Sequence, residues 1–156
     1  LGTAAAASMA FTIVPRHVVG GKGFIPPSDK LTIAYIGCGT QGIREMSDLL
    51  KNPRIQIVSV CDPNRFSTNY VDWSPYDIRN RMRQATGNNS WGENLQGIPG
   101  GRELGREMVD SFYGRQQQAA KYRSCRVFED YRELLEKEND FDAGGRETAA
   151  HGAAGA

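Results

Sequence analysis

The chain has 156 residues, which is enough for one domain with its own hydrophobic core. Its formal net charge is +1 and 24% of its residues are charged, so charge gives no case for binding nucleic acid or an anionic membrane surface. No apolar run reaches the roughly 18–20 residues that a membrane span requires. The three cysteines have no C-x-x-C spacing and support neither a disulfide framework nor a zinc site. They are expected to be small buried thiols: Cys38, Cys61 and Cys125.

Residues 1–30 are predicted to lie outside the folded core. The segment from Leu1 to Phe11 is small, apolar and uncharged, like the middle of a secretory signal, although it has no initiating Met and no basic region. A disordered or poorly packed arm is the alternative interpretation. The stretch from Phe11 to Asp29 is rich in glycine and proline and is expected to form an extended linker.

A dinucleotide-binding fingerprint begins at residue 31. The apolar run Leu31–Ile36 has the length of a strand buried on both faces, and a G-x-G-x-x-G sequence follows at 37–42. Gly37 is expected to allow the tight turn, Gly39 a close approach to a pyrophosphate, and Gly42 close packing of the following helix on the strand. The pyrophosphate would then lie on the N–H groups at the helix N-terminus.

The acid that completes the fingerprint is Asp62. A helix over residues 43–50 ends before Pro53, and a second strand, Ile55–Cys61, leads directly to this aspartate. A carboxylate there accepts hydrogen bonds from the ribose hydroxyls and repels a 2′-phosphate, so NAD is preferred over NADP, with Arg65 close enough to soften that preference. The predicted cofactor-binding residues are Gly37, Cys38, Gly39, Thr40, Gln41, Gly42, Asp62, Asn64 and Arg65.

Other interpretations of the glycine loop are a turn that binds nothing and an S-adenosylmethionine site. Enzymes that use S-adenosylmethionine usually carry an acid just before the first glycine, where this chain has Ile36. The dinucleotide is therefore the preferred ligand.

Residues 66–101 form a long polar connection after the second strand. Its aromatic residues predict a packed lobe rather than a loose tether: Tyr70, Trp73, Tyr76 and Trp91. Whether this insert covers the cofactor, lines a substrate cleft, forms a subunit contact or only packs on itself stays open.

Two further helices and a third strand follow the insert. Apolar spacing predicts a helix over 102–113, a short strand over 124–128 and a helix over 130–138. The sequence therefore predicts an α/β fold, a Rossmann-like doubly wound parallel sheet with a long insert after its second strand.

The fourth strand of that sheet is expected to be missing. Phe141–Ala143 resembles the beginning of a strand, but residues 144–156 form a low-complexity Gly/Ala-rich tail without a β-branched run. In a sheet ordered 3-2-1-4, the loss would leave Leu31–Ile36 as an unpaired edge that promotes homo-oligomer formation or aggregation. The fold prediction is thus an incomplete sheet within residues 31–143.

Three segments resemble the Gfo/Idh/MocA family of nicotinamide-dependent oxidoreductases: Ile36–Gly42, Val60–Asn64 and Tyr131–Leu135. The resemblance covers about residues 31–143. It implies binding of NAD or NADP and the oxidation or reduction of sugars and related polyols. The insert resembles that of a family branch whose members often begin with a twin-arginine export signal. The expected location is therefore periplasmic or exported, with the cytoplasm as the alternative.

The sequence departs from the family after residue 143. The Thr-Pro-type loop beside the nicotinamide, the Glu-Lys-Pro motif with its proton-transferring lysine, and the large β-sheet domain are not found in this sequence. No catalytic residue is therefore predicted, a sugar-like substrate is expected only for a full-length protein, and this chain alone is expected not to catalyse. The alternative is a non-catalytic or unstable remnant that binds nucleotide weakly or not at all.

Overall fold

The computed structural model describes residues 29–74, 76–117, 124–139 and 143–146. The elements in chain order are β1 (Leu31–Ile36), α1 (Thr40–Leu49), β2 (Ile55–Cys61), β3 (Ser67–Tyr70), α2 (Asp77–Thr86), β4 (Ile98–Gly100), α3 (Arg102–Gln116), β5 (Arg126–Phe128), α4 (Tyr131–Lys137) and β6 (Ala143–Arg146). The predicted α/β class is confirmed. The predictions for residues 1–28, 141–142 and 147–156 lie outside the described residues.

The central layer is a parallel sheet of four strands in the order β5-β2-β1-β6. β1 pairs with β2 along its whole length and with β6 from Ile33 to Ile36. β2 also pairs with β5. β3 and β4 form a separate antiparallel pair within the insert. The carboxyl ends of all four parallel strands therefore meet at one edge of the sheet.

The prediction of a missing fourth strand is wrong, and β1 is not a sheet edge. β6 extends past the predicted boundary at residue 143 and pairs with β1 in parallel register. Its sequence, Ala143-Gly144-Gly145-Arg146, has no β-branched residue and so carries no strand signal. A parallel ladder is made by backbone N–H and C=O groups, which any residue except proline supplies in full. The physical case for an unstable remnant, which depended on an exposed β1, is thereby removed.

Helices cover both faces of the sheet, as the apolar run of β1 predicts. Tyr35 lies in a core cluster with α1, α2 and α3, while its neighbours Ala34 and Ile36 lie in a second cluster with Leu134 of α4. Side chains that alternate along a strand point to opposite faces. The larger cluster contains the fully buried helix residues Ile43, Met46, Ile78, Met82, Leu104 and Met108.

The insert is packed, as predicted, but only some of its aromatic residues take part in the packing. Ile78 and Met82 of α2 are fully buried against α1 and α3. Trp91 is partly buried at the margin of this core, whereas Trp73 and Tyr76 are 83% and 70% exposed. Apolar residues at helical spacing therefore anchor the lobe.

A buried ion pair also ties the insert to α1. The guanidinium of Arg44 on α1 binds the carboxylate of Asp72 and, through Nε, the Oδ2 of Asp77 at 2.6 Å. The Asp72 side chain is fully buried, and the Arg44 guanidinium lies 4.6 Å from the ring centre of Trp73. Burial opposes ionisation of Asp77, but hydrogen bonds from Arg44 and Arg81 outweigh it and lower the pKa of Asp77.

Tyr113 of α3 satisfies a backbone amide of β2. Its hydroxyl accepts a 2.9 Å hydrogen bond from the N–H of Ile57, and Tyr113 is buried. Tyr113→Phe is expected to lower the free energy of unfolding by about 1–3 kcal/mol, because the buried amide loses its acceptor. Denaturant unfolding followed by circular dichroism measures this loss.

Ser59 lies on β2, the strand of Ile57, and offers a matched control. It is fully buried, and its hydroxyl makes no hydrogen bond to any part of the chain that the structure describes. Ser59→Ala is therefore expected to leave the free energy of unfolding unchanged or to raise it slightly. A loss as large as that of Tyr113→Phe would contradict the specific role of the Tyr113 hydroxyl.

Candidate functional site

Three loops meet at the carboxyl edge of the parallel sheet. They are the glycine loop between β1 and α1, the turn after β2, and the loop between β5 and α4. In open α/β sheets, ligands bind in the crevice outside the carboxyl ends of the strands. This edge is therefore the candidate site, and most of the predicted cofactor-binding residues lie in its first two loops.

The glycine loop has the geometry that the fingerprint predicts. Gly37 has φ 99°, a conformation that favours glycine, and its N–H donates a 2.8 Å hydrogen bond to the carbonyl of Cys61. Gly39 is the N-cap of α1, and Gly42 is buried on the helix. Because the N-cap is a glycine, it has no side chain that could accept hydrogen bonds from the first-turn amides of α1. The predicted strand–turn–helix order is confirmed.

Asp62 joins the glycine loop to the end of β2. It is 7% exposed, and its Oδ2 accepts a 2.7 Å hydrogen bond from the N–H of Cys38 in the glycine loop. Its Oδ1 accepts a second bond, of 2.8 Å, from the N–H of Asn64. The carboxylate is thus held in place by two backbone amides from two different loops.

The remaining predicted residues lie at the start of α1 and in the turn after β2. Asn64 donates from Nδ2 to the hydroxyl of Tyr70 at 3.0 Å, and Gln41 donates to Glu45 at 3.0 Å within α1. Thr40 is half-buried at the first position of α1, and Arg65 is exposed. The structure therefore brings the predicted residues to two adjacent loops.

The start of α3 holds the site together, which the sequence analysis missed. The N–H groups of residues 101, 102 and 103 donate in turn, over 2.8, 2.9 and 3.0 Å, to the carbonyls of Cys38, Asn64 and Arg65. Gly101 has φ 112°, and a Cβ there would lie 2.8 Å from the carbonyl oxygen of Arg65. Two adjacent glycines directly before a helix were the available sequence signal.

The side chain of Arg102 connects the loops after β2 and β5. Its Nη1 donates to the carbonyls of Asp62 and Pro63 at 3.1 and 2.7 Å, and its Nη2 binds Oε2 of Glu129 at 2.8 Å. The Arg102 side chain is 14% exposed, whereas that of Glu129 is 69% exposed. The insert therefore returns to the sheet with a cation that joins two loops of the site.

A cleft of about 460 Å³ opens beside Asp62. Its size falls in the range of small-molecule and cofactor sites. Its walls are the ends of β1 and β2 and the loop into α4: Ile36, Cys61, Pro63, Glu129, Asp130, Tyr131 and Arg132. Arg102 joins two of these walls, since it contacts both Pro63 and Glu129.

A second cleft, of about 670 Å³, lies on the insert. Two of its lining residues, Arg79 and Arg83, donate to backbone carbonyls of the 91–97 loop. Their guanidinium groups therefore brace the insert.

The three cysteines are free and buried, as predicted for structural thiols. Burial, aided by the neighbouring charge of Asp62, raises the pKa of Cys61 to about 11, and burial also raises the pKa of Cys125. A raised pKa lowers the thiolate fraction at pH 8, and the thiolate is the reactive form. Native protein is therefore expected to react slowly with a chromogenic thiol reagent at pH 8. In denatured protein, all three thiols should react rapidly. Rapid reaction of native Cys61 would contradict its burial.

Among the described residues, no group of three or more His, Cys, Asp or Glu side chains is arranged to hold a metal ion, and no helix is long and apolar enough to cross a bilayer. The chain matches no family model, no curated protein and no solved structure.

Proposed function

We propose that this chain binds a nicotinamide adenine dinucleotide at the carboxyl edge of its parallel sheet. The observation that carries the proposal is the buried Asp62 carboxylate, which lies at the end of β2 and is bonded to the N–H of Cys38 in the glycine loop. In Rossmann-like domains, an acid at this position binds the adenosine ribose while the glycine loop and helix N-terminus take the pyrophosphate.

The strand order supports a Rossmann-like sheet. In chain order, β1, β2, β5 and β6 are the first to fourth parallel strands, so β5-β2-β1-β6 is the order 3-2-1-4. From β1 the chain adds β2 and β5 on one side, and it then adds β6 on the other side of β1. Dinucleotides bind at such a reversal of strand order, and the glycine loop follows β1 directly.

The charge at the ribose position favours NAD over NADP. Asp62 would accept hydrogen bonds from the ribose hydroxyls and repel a 2′-phosphate. Arg65 is the exposed cation in the same turn that would weaken this preference.

We also propose that the chain is the N-terminal part of an oxidoreductase of the Gfo/Idh/MocA type that acts on sugar-like substrates. The three segments that carry the resemblance surround one site: Ile36–Gly42 forms the glycine loop, Val60–Asn64 the end of β2, and Tyr131–Leu135 the helix beside the cleft. The proposal assigns only binding groups to the described residues and no catalytic residue.

Calorimetric titration of the folded, monomeric chain with NAD, NADP and S-adenosylmethionine tests the proposal. Saturable binding of NAD, weaker binding of NADP and no binding of S-adenosylmethionine are expected. A folded chain that fails to bind NAD would overturn the proposal, and binding of S-adenosylmethionine alone would assign the glycine loop to a different ligand.

A further inference from the structure

We propose that Glu129 is a specificity-determining residue that excludes NADP by engaging the guanidinium of Arg102. The inference rests on the proposed dinucleotide function and concerns a residue that does not belong to the fingerprint. Glu129 lies in the loop between β5 and α4, far along the chain from both the glycine loop and Asp62.

Arg102 is a cation fixed beside the predicted ribose-binding residue. Its Nη1 is 3.1 Å from the carbonyl oxygen of Asp62, and its own backbone N–H donates to Asn64 in the same turn. The side chain is largely buried, so the guanidinium cannot swing freely into solvent. An arginine near this position is what accommodates a 2′-phosphate in NADP-binding domains.

Glu129 neutralises that cation. Its carboxylate is the charged acceptor that Arg102 meets, at 2.8 Å, while Asp62 and Pro63 offer Arg102 only neutral carbonyls. Glu129 itself lines the cleft and is mostly exposed. A 2′-phosphate with its charge of about −1.5 to −2 would therefore meet the carboxylates of Asp62 and Glu129, and Glu129 already occupies the guanidinium of Arg102.

The other charged groups of these loops stay the same when Glu129 is replaced. Asp130 and Arg132, which also line the cleft, form a pair at 3.5 Å. Arg65 is exposed in the turn after β2 and is unchanged when Glu129 is replaced. Removing the charge of Glu129 therefore leaves Arg102 as a fixed cation without a charged partner, ready to bind a phosphate with charge-assisted hydrogen bonds.

The test compares NAD and NADP dissociation constants for the wild type, Glu129→Gln and Glu133→Gln. Glu133 is a matched control, because it lies on α4 four residues after Glu129 and forms its own exposed ion pair with Lys137. In Glu129→Gln the ratio of the NADP constant to the NAD constant is expected to fall at least about tenfold, chiefly through tighter NADP binding. In Glu133→Gln the ratio should not change.

The possible failures are distinguishable. If the wild type binds neither dinucleotide, the proposed function is overturned and this inference with it. If all three proteins bind NAD and the ratio is unchanged in Glu129→Gln, only the role of Glu129 is overturned. If the ratio falls equally in Glu129→Gln and Glu133→Gln, the effect comes from net charge, and the role of Glu129 is also overturned.

Discussion

Asp62→Ala is expected to abolish measurable NAD binding while the chain stays folded. The alanine removes the acceptor for the ribose hydroxyls and frees the N–H of Cys38, so the glycine loop loses its link to the end of β2. Each buried amide that loses its acceptor costs about 1–3 kcal/mol of unfolding free energy. Calorimetry measures the binding and denaturant unfolding measures the stability.

Asp110 provides the matched control for this variant. Its Oδ1 accepts two backbone hydrogen bonds, from the N–H groups of Ser124 at 3.1 Å and Cys125 at 3.0 Å, but it lies within α3 and belongs to none of the three loops of the candidate site. Asp110→Ala is expected to reduce stability in a similar way and to leave NAD affinity unchanged. NAD binding of wild-type strength in folded Asp62→Ala protein would sink the assignment of the ribose site.

Arg44→Met is expected to destabilise the fold by about 3–5 kcal/mol, since it leaves a buried carboxylate without its partner. The Asp72 side chain is fully buried and is bound by Arg44, which also binds Asp77. Arg54 is exposed in the turn before β2, and Arg54→Met is expected to change stability by less than about 0.5 kcal/mol. Denaturant midpoints of the two variants give the comparison.

A second variant separates the ion pair from simple packing. Adding Asp72→Asn to Arg44→Met removes the unpaired charge and is expected to recover part of the lost stability. No recovery would mean that Arg44 acts mainly through the contacts of its side-chain stem.

The same cluster predicts a pH dependence. The pKa of Asp77 is lowered from its usual 3.8 because hydrogen bonds from Arg44 and Arg81 outweigh burial. A lowered folded-state pKa gives stability that is present above pH 3.8 and is lost as the pH falls through the folded-state value. The difference in unfolding free energy between the wild type and Arg44→Met is therefore expected to shrink as the pH falls below 3.8. A difference that stays constant would contradict the ion pair between Arg44 and Asp77.

Local patterns predict the elements around the glycine loop well. The apolar run of β1, the glycine at the turn and the helix that follows depend on neighbouring residues alone, and Gly37 adopts the positive φ that its place in the fingerprint requires. The prediction failed at β6, because Ala-Gly-Gly-Arg has no preference for a strand and pairs only where β1 supplies the backbone partner.

The sequence by itself determined the residue types of the candidate site and their position after two parallel strands, since strand length, turn chemistry and side-chain charge are local properties. Only the tertiary structure decided what surrounds them. Arg102 lies 40 residues from Asp62 and 27 from Glu129, yet it binds both. Such contacts depend on the path by which the insert returns to the sheet. Hydrophobic periodicity does not encode that path, because it fixes which face of an element is buried and not which distant loop it meets.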